Sequence, residues 1–167
     1  MRLRLPVAAV CALTAGLLAG CGADAPATPT RAHAAFLARV GEACQPAVDV
    51  HRGHAFPLTD FDPLHPDPRE LPTVGDYFAS YGGLPATDRA MHALQPPAVD
   101  ADAWHDLMRL VDQITANAQQ QVRAARASDV TAFVETVRTS ESLTNRLNVV
   151  GDRFGLRSDS ACAEVFG

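Results

Sequence analysis

The spacing of the apolar residues restricts the fold of this chain more than any other feature of its sequence. Over residues 101–126 they recur at steps of three and four, which places them on one face of an α-helix: Trp104, Leu107, Met108, Val111, Ile114, Ala118, Val122 and Ala125. Similar spacing recurs over residues 30–50, 73–94 and 130–154, and no segment alternates with a sustained period of two. Because a short turn joins the last two segments, we expect an all-α antiparallel bundle of about four helices.

Residues 51–72 interrupt this pattern with prolines at positions 57, 63, 66, 68 and 72. Since proline lacks a backbone donor and clashes with the preceding helical turn, no helix is expected here. We expect a long proline-rich loop that lies over the domain, held by its large apolar residues Phe56, Leu58, Phe61 and Leu64. Loops of this length are uncommon and tend to be functional or mobile. For the same reason, Pro46 is expected to kink the first helix or mark a restart.

The amino-terminal residues have the parts of an export signal. Arg2 and Arg4 give a positive start, residues 5–18 are uncharged and largely apolar, and Leu18-Ala19-Gly20 precede Cys21. This order resembles the lipobox of bacterial lipoproteins, in which the cysteine receives diacylglycerol. The resemblance implies cleavage before Cys21 and a lipid on its sulfur. The alternative is an ordinary secretory signal in which Cys21 is incidental.

The predicted processing divides the chain into three parts. Residues 1–20 are the signal peptide, residues 21–30 are a small, proline-containing tether, and residues 31–167 form the helical domain. Two acyl chains hold a protein stably at a membrane, because each buried methylene contributes about 0.8 kcal/mol. We therefore expect a protein that is lipid-anchored at the extracytoplasmic face of the cell membrane and does not span it.

The charge of the exported part excludes one class of partner. Removing Arg2 and Arg4 leaves 12 arginines against 19 acidic residues, a net charge of −7 with neutral histidines, and the chain contains no lysine. A chain with this balance has no bulk attraction for nucleic acid or for anionic lipid head groups. The expected partners are the membrane, through the lipid, and an envelope protein or a small ligand.

Two cysteines remain for the fold, because Cys11 leaves with the signal and Cys21 carries the lipid. Two thiols in an oxidising compartment favour a Cys44–Cys162 disulfide that closes most of the domain. The alternative is two independent buried thiols. A redox-active pair is disfavoured, since the chain has no Cys-x-x-Cys motif.

Three motifs of the exported part resemble those of small, uncharacterised helical lipoproteins of actinobacteria. Cys44 lies in the first helix, Leu94-Gln95-Pro96-Pro97 precede the long helix, and Gly155-Leu156 come ahead of Cys162. The family pattern has a further leucine where this chain has Met91. The resemblance covers most of the exported chain and implies the helical fold and the disulfide, but no activity.

The histidine-rich loop is a candidate metal site. His51 and His54 are three residues apart, and His65 follows among Asp60, Asp62 and Asp67. Imidazole and carboxylate groups are ligands for divalent metals, so His51, His54 and His65 would bind zinc or copper rather than calcium. The alternative is a solvated loop whose polar side chains cap turns. Apart from the diacylglycerol anchor and this metal, no cofactor is expected.

Four aromatic residues mark the region where an apolar ligand pocket would lie: Tyr77, Phe78, Tyr81 and Trp104. The alternative is that they are core residues. No serine lies in a Gly-x-Ser-x-Gly setting, there is no phosphate-binding glycine loop, and His92 and His105 are expected on exposed helix faces. The sequence therefore favours a non-enzymatic binding or interaction protein, with a metal-binding lipoprotein as the alternative and an envelope hydrolase as a third reading.

Overall fold

A computed structural model describes residues 30–80, 83–156 and 161–166. Residues 1–29, which include the expected signal peptide, Cys21 and all of the expected tether except Thr30, lie outside the described residues, as does Tyr81. Within these ranges the chain forms α-helices, one short 3-10 helix at Ala98–Asp100 and no strand, which confirms the all-α prediction. The helices are α1 (Arg31–Gly53), α2 (Leu71–Ser80), α3 (Gly83–His92), α4 (Ala101–Arg126), α5 (Val130–Phe154) and α6 (Ala161–Phe166).

Helix α1 begins at a side-chain cap and runs further than its sequence indicates. The hydroxyl of Thr30 accepts a hydrogen bond from the backbone N–H of His33 at 3.1 Å. The helix continues past Pro46 to Gly53, so His51 is helical and the expected restart at Pro46 is absent. Pro46 is exposed, and the apolar residues on either side of it hold the helix against its neighbours.

Helices α4 and α5 form the antiparallel hairpin that the sequence predicts. The turn places Ser128 at a φ of 55°, and the carboxylate of Asp129 caps α5 by accepting from the N–H of Ala132 at 3.0 Å. Helix α5 ends at Gly155, whose φ of 92° is favourable for glycine and strained for other residues. Both ends of α5 are therefore set by capping residues.

The described helices enclose two separate apolar cores. The main core lies among α1, α3, the first half of α4, the second half of α5 and α6, and consists of Phe36, Val40, Cys44, Met91, Trp104, Leu107, Met108, Leu110, Val111, Leu143, Leu147, Phe154, Cys162 and Phe166. The second core lies beside the α4–α5 turn and consists of Leu71, Val74, Ala124, Ala125, Phe133 and Val137. Burying each large apolar side chain stabilises the fold by about 1.5–3 kcal/mol.

A disulfide joins Cys44 of α1 to Cys162 of α6, with the two Cα atoms 5.1 Å apart. This confirms the pairing expected from the cysteine count. Helix α6 has only six residues and could not persist alone, so the disulfide and the apolar contacts of Phe166 hold it on α1.

The proline-rich loop lies over the second core and is held there by aromatic contacts. The Phe56 ring packs edge-on against Tyr77 at a centroid distance of 5.0 Å, and Phe61 reaches Phe133 at 6.2 Å. Leu58 also packs on the second core, whereas Phe56 and Leu64 each stay 38% exposed. Asp62 and Asp67 each accept a backbone N–H two residues on, which gives the loop ordered turns.

None of the helices in the described ranges combines the length and the apolar character needed to cross a membrane.

Candidate ligand-binding cleft

A cleft of about 720 Å³ lies between the two cores. Its long wall is the middle of α4, over residues 114–123, and α5 supplies Ser140 and Thr144. The remaining wall residues come from every other helix and from the loop: Ala47, His51, Phe56, Tyr77, Phe78, Ala79, Leu84, Pro85, Glu164, Val165 and Phe166. Residues far apart in the sequence thus surround one space in the middle of the bundle.

The apolar stripe of α4 explains why the cleft is there. Ile114, Ala118 and Val122 continue the stripe that the sequence predicts, and all three line the cleft and are only partly buried, although Ile114 also packs against the main core. On either side of them the stripe is fully covered, by the main core around Val111 and by the second core around Ala125. The cleft is therefore a gap in the helix packing that exposes apolar surface.

Apolar atoms make up most of the cleft surface, and one of the polar groups in its wall lacks a hydrogen-bond partner among the described residues. Thr115 is 6% exposed, and its hydroxyl has no hydrogen-bond partner among the described residues. Ser140 accepts from the Asn117 side-chain amide at 2.7 Å, and the Thr144 hydroxyl donates to the Phe166 carbonyl oxygen at 3.3 Å. The wall is thus mostly apolar, with a buried hydroxyl beside it that has unused hydrogen-bonding capacity.

A charged pair lies at the α6 side of the cleft. The guanidinium of Arg52 donates twice to the carboxylate of Glu164, at 3.0 and 2.7 Å. This hydrogen bond lowers the pKa of Glu164 below its ordinary value and raises that of Arg52. Both groups are charged at neutral pH, so the pair adds a link between α1 and α6 at the edge of an apolar space.

The structure separates the four aromatic residues that the sequence places near a pocket. Tyr77 and Phe78 line the cleft. Trp104 is 5% exposed in the main core, where its ring lies 4.9 Å from that of Phe36 and 5.7 Å from that of Phe154. Tyr81 lies outside the described residues. Trp104 occupies the first turn of α4, on the far side of the main core from the second core.

Comparisons of the chain with protein-family models, with curated proteins and with solved structures found no match.

The histidines of the loop region lie in different surroundings. His51 lines the cleft, the Nδ1 of His54 lies 2.8 Å from the carbonyl oxygen of Val50, and the Nδ1 of His65 lies 2.9 Å from a carboxylate oxygen of Asp62. The His65 contact lowers the pKa of Asp62. The structure does not bring ligand atoms of His51, His54 and His65 within 4.8 Å of one another.

A different group of side chains does converge, and sequence reasoning did not single it out. Asp88 and His92 of α3 meet Asp112 of α4, with one ligand atom of each residue within 4.8 Å of the others. The Nε2 of His92 lies 2.7 Å from Asp112 Oδ1 and 3.5 Å from Asp88 Oδ1. The hydrogen bond to Asp112 raises the pKa of His92. Burial, followed by the neighbouring charge of Asp112, raises the pKa of Asp88.

Proposed function

We propose that this protein is a lipid-anchored binding protein at the extracytoplasmic face of the cell membrane, and that it acts by holding a small, largely apolar molecule in the cleft. The observation that carries the proposal is the half-buried stripe of Ile114, Ala118 and Val122 on the cleft wall. Apolar surface that the helix packing leaves partly exposed contributes favourable free energy when an apolar ligand displaces water from it.

The size and chemistry of the cleft define the ligand class. A volume of about 720 Å³ falls within the range of about 300–1,000 Å³ that is usual for small-molecule sites. Aliphatic and aromatic side chains of α2, α4 and α6 would contact the body of the ligand. The unpartnered hydroxyl of Thr115 and the side chains of Gln119 and Arg123, which follow one another at four-residue steps along α4, would favour a ligand with polar groups along one side.

The lipid anchor supports the same proposal from the sequence. A tether of ten residues spans at most about 35 Å, so a protein attached through Cys21 stays close to the bilayer surface, where apolar molecules concentrate. Mass spectrometry of the mature amino terminus tests the predicted lipid anchor separately from the cleft. An unmodified cysteine there would rule out the anchor.

Filling the cleft provides the direct test. Ala118→Trp places a large side chain in the cleft wall, whereas Ala116→Trp places the same side chain on the exposed face of the same helix. With the uncharged fluorescent dye N-phenyl-naphthylamine as the probe, we expect saturable binding to the wild-type protein and to Ala116→Trp. We expect binding to Ala118→Trp to be weakened by about tenfold or more, because the site is filled.

Circular dichroism melts of the two tryptophan variants establish that both are folded at the assay temperature. Equal dye affinity in the two folded variants would contradict the proposed site. Absence of saturable dye binding to the wild-type protein would contradict an apolar ligand.

A further inference from the structure

We propose that Asp88, His92 and Asp112 form a binding site for one divalent transition-metal ion, with zinc as the favoured ion. The site lies on the α3–α4 face, and none of its three residues lines the cleft, so the inference does not depend on the proposed ligand. Its ligand set, one imidazole and two carboxylates, is one that zinc accepts together with water.

The spacing of the three residues suits a shared ion. Asp88 and His92 are four residues apart on α3 and therefore lie on the same helix face, one turn from each other. Asp112 reaches them from the neighbouring α4. Zinc bonds of about 2.0–2.2 Å in a tetrahedral arrangement put ligand atoms about 3.3 Å apart. The 3.5 Å separation of His92 Nε2 from Asp88 Oδ1 is close to that value. Zinc would replace the proton between His92 Nε2 and Asp112 Oδ1, which is released to solvent, and their 2.7 Å contact would lengthen slightly.

An orphaned oxygen distinguishes this cluster from an ordinary surface ion pair. The Oδ1 atom of Asp88 is buried and has no hydrogen-bond donor among the described residues. His92 offers one proton at Nε2 and directs it to Asp112, so it does not satisfy Asp88 as well. Buried carboxylate oxygens are normally paired, and a cation between the two carboxylates would satisfy both.

Access to the cluster is open from the solvent side. The side chains of His92 and Asp112 are each 49% exposed, whereas that of Asp88 is 19% exposed at the base. This arrangement gives an ion an entry path and leaves room for water ligands to complete its coordination. Because α3 has only ten residues, an ion held by both helices would fasten it to α4.

The loop histidines supply a matched control. His65 and Asp62 form an exposed histidine–carboxylate pair at 2.9 Å, similar to the His92–Asp112 contact but without the buried third ligand. If a histidine–carboxylate pair alone were sufficient for zinc, His65→Ala would weaken binding as much as His92→Ala does.

The experiment is isothermal titration of zinc chloride into the chelator-treated mature protein without a histidine tag. We expect one ion per chain, with affinity reduced at least about tenfold by His92→Ala and by Asp112→Asn, since loss of even an outer partner of a metal ligand has an effect of that size. His65→Ala and the double variant His51→Ala with His54→Ala should bind as the wild type does.

Two further measurements keep the result decisive. Circular dichroism melts without metal confirm that each variant is folded, and cobalt substituted for zinc should give a d–d absorption spectrum that His92→Ala abolishes. The proposal is overturned if wild type and His92→Ala bind zinc equally, if neither binds, or if the loop histidine variants are the ones that lose the ion.

Discussion

The two cores of the bundle are secured by different means. Around the main core, the Cys44–Cys162 disulfide fastens α6 to α1. Around the second core, α2 and the proline-rich loop are held by noncovalent contacts, and this part of the sequence contains no cysteine. We refer to these as the disulfide half (α1, α3, α6 and the adjoining parts of α4 and α5) and the loop half (residues 54–80 with the α4–α5 turn).

The difference bears on the cleft because its walls come from both halves. Val165 and Phe166 belong to the disulfide half, and Phe56, Tyr77 and Phe78 belong to the loop half. Segments with few covalent or buried constraints open at lower free energy than the rest of a fold. We therefore expect ligand entry to involve displacement of the loop half, while the disulfide half stays in place.

The largest expected effect comes from removing the disulfide. In the chain-entropy model, a cross-link between residues 118 apart stabilises a protein by about 4–5 kcal/mol. The double variant Cys44→Ala with Cys162→Ala should lower the free energy of unfolding by about that amount, as measured by urea denaturation. It should also raise the rate of amide hydrogen exchange in α1 to about the rate in α2, so that the two halves no longer differ in exchange rate.

The control for this experiment is the wild-type protein treated with reductant, which should approach the double variant in stability. A loss below about 1 kcal/mol would show that apolar contacts alone hold α6 on α1. Slower exchange in α1 than in α2 of the double variant would mean that the contrast has a source other than the disulfide.

A pair of glycine substitutions sharpens the same comparison. A Cβ atom at Gly75 of α2 would lie 2.9 Å from Arg126 Cγ and 3.0 Å from the Arg126 backbone nitrogen, whereas one at Gly41 of α1 would meet nothing within 4 Å. Gly75→Ala should destabilise the protein by about 1–3 kcal/mol, since α2 would move off α4. Gly41→Ala should stabilise it by about 0.5–1 kcal/mol, because alanine is the better helix former.

Thermal unfolding of the two glycine variants measures both effects. The two changes in stability are expected to have opposite signs. If Gly75→Ala instead stabilised the protein, α2 could shift away from α4 without loss of free energy, and the two helices would not be closely packed.

The helices could be predicted from the sequence because each depends on local information. The period of the apolar residues defines α4 and α5, Asp129 and Gly155 mark the ends of α5, and the count of cysteines specifies the disulfide. The sequence also predicts that α1 extends to about residue 50, but it does not show whether Pro46 kinks the helix or marks a restart. There, tertiary packing of the residues on either side outweighs the local preference of proline.

The candidate sites could be predicted only in part, for two physical reasons. Apolar periodicity shows that Ile114, Ala118 and Val122 avoid water, but it does not show whether another helix or a ligand space covers them. The convergence of Asp112 with His92 depends on the relative positions of α3 and α4. Only the four-residue spacing of Asp88 and His92 was available as a local signal.

The smallest expected effect concerns the ion pair that accompanies the disulfide. Arg52 lowers the pKa of Glu164 through its hydrogen bonds, so the pair stabilises the fold above the ordinary glutamate pKa of about 4.3. This contribution is lost as the pH falls through the lower pKa of the folded state. Arg52→Ala should move the Glu164 titration up to its ordinary range, as followed by NMR of the side-chain carboxyl carbon.

Arg109→Ala is the control, because Arg109 pairs with Asp106 on α4 and should leave Glu164 unchanged. Since both members of the Arg52–Glu164 pair are solvent-exposed and the disulfide already joins α1 to α6, the melting temperature should change little in Arg52→Ala. A large fall would mean that α6 depends on the ion pair as well as on the covalent bond. The disulfide half would then lose stability in acid as the Glu164 carboxylate becomes protonated.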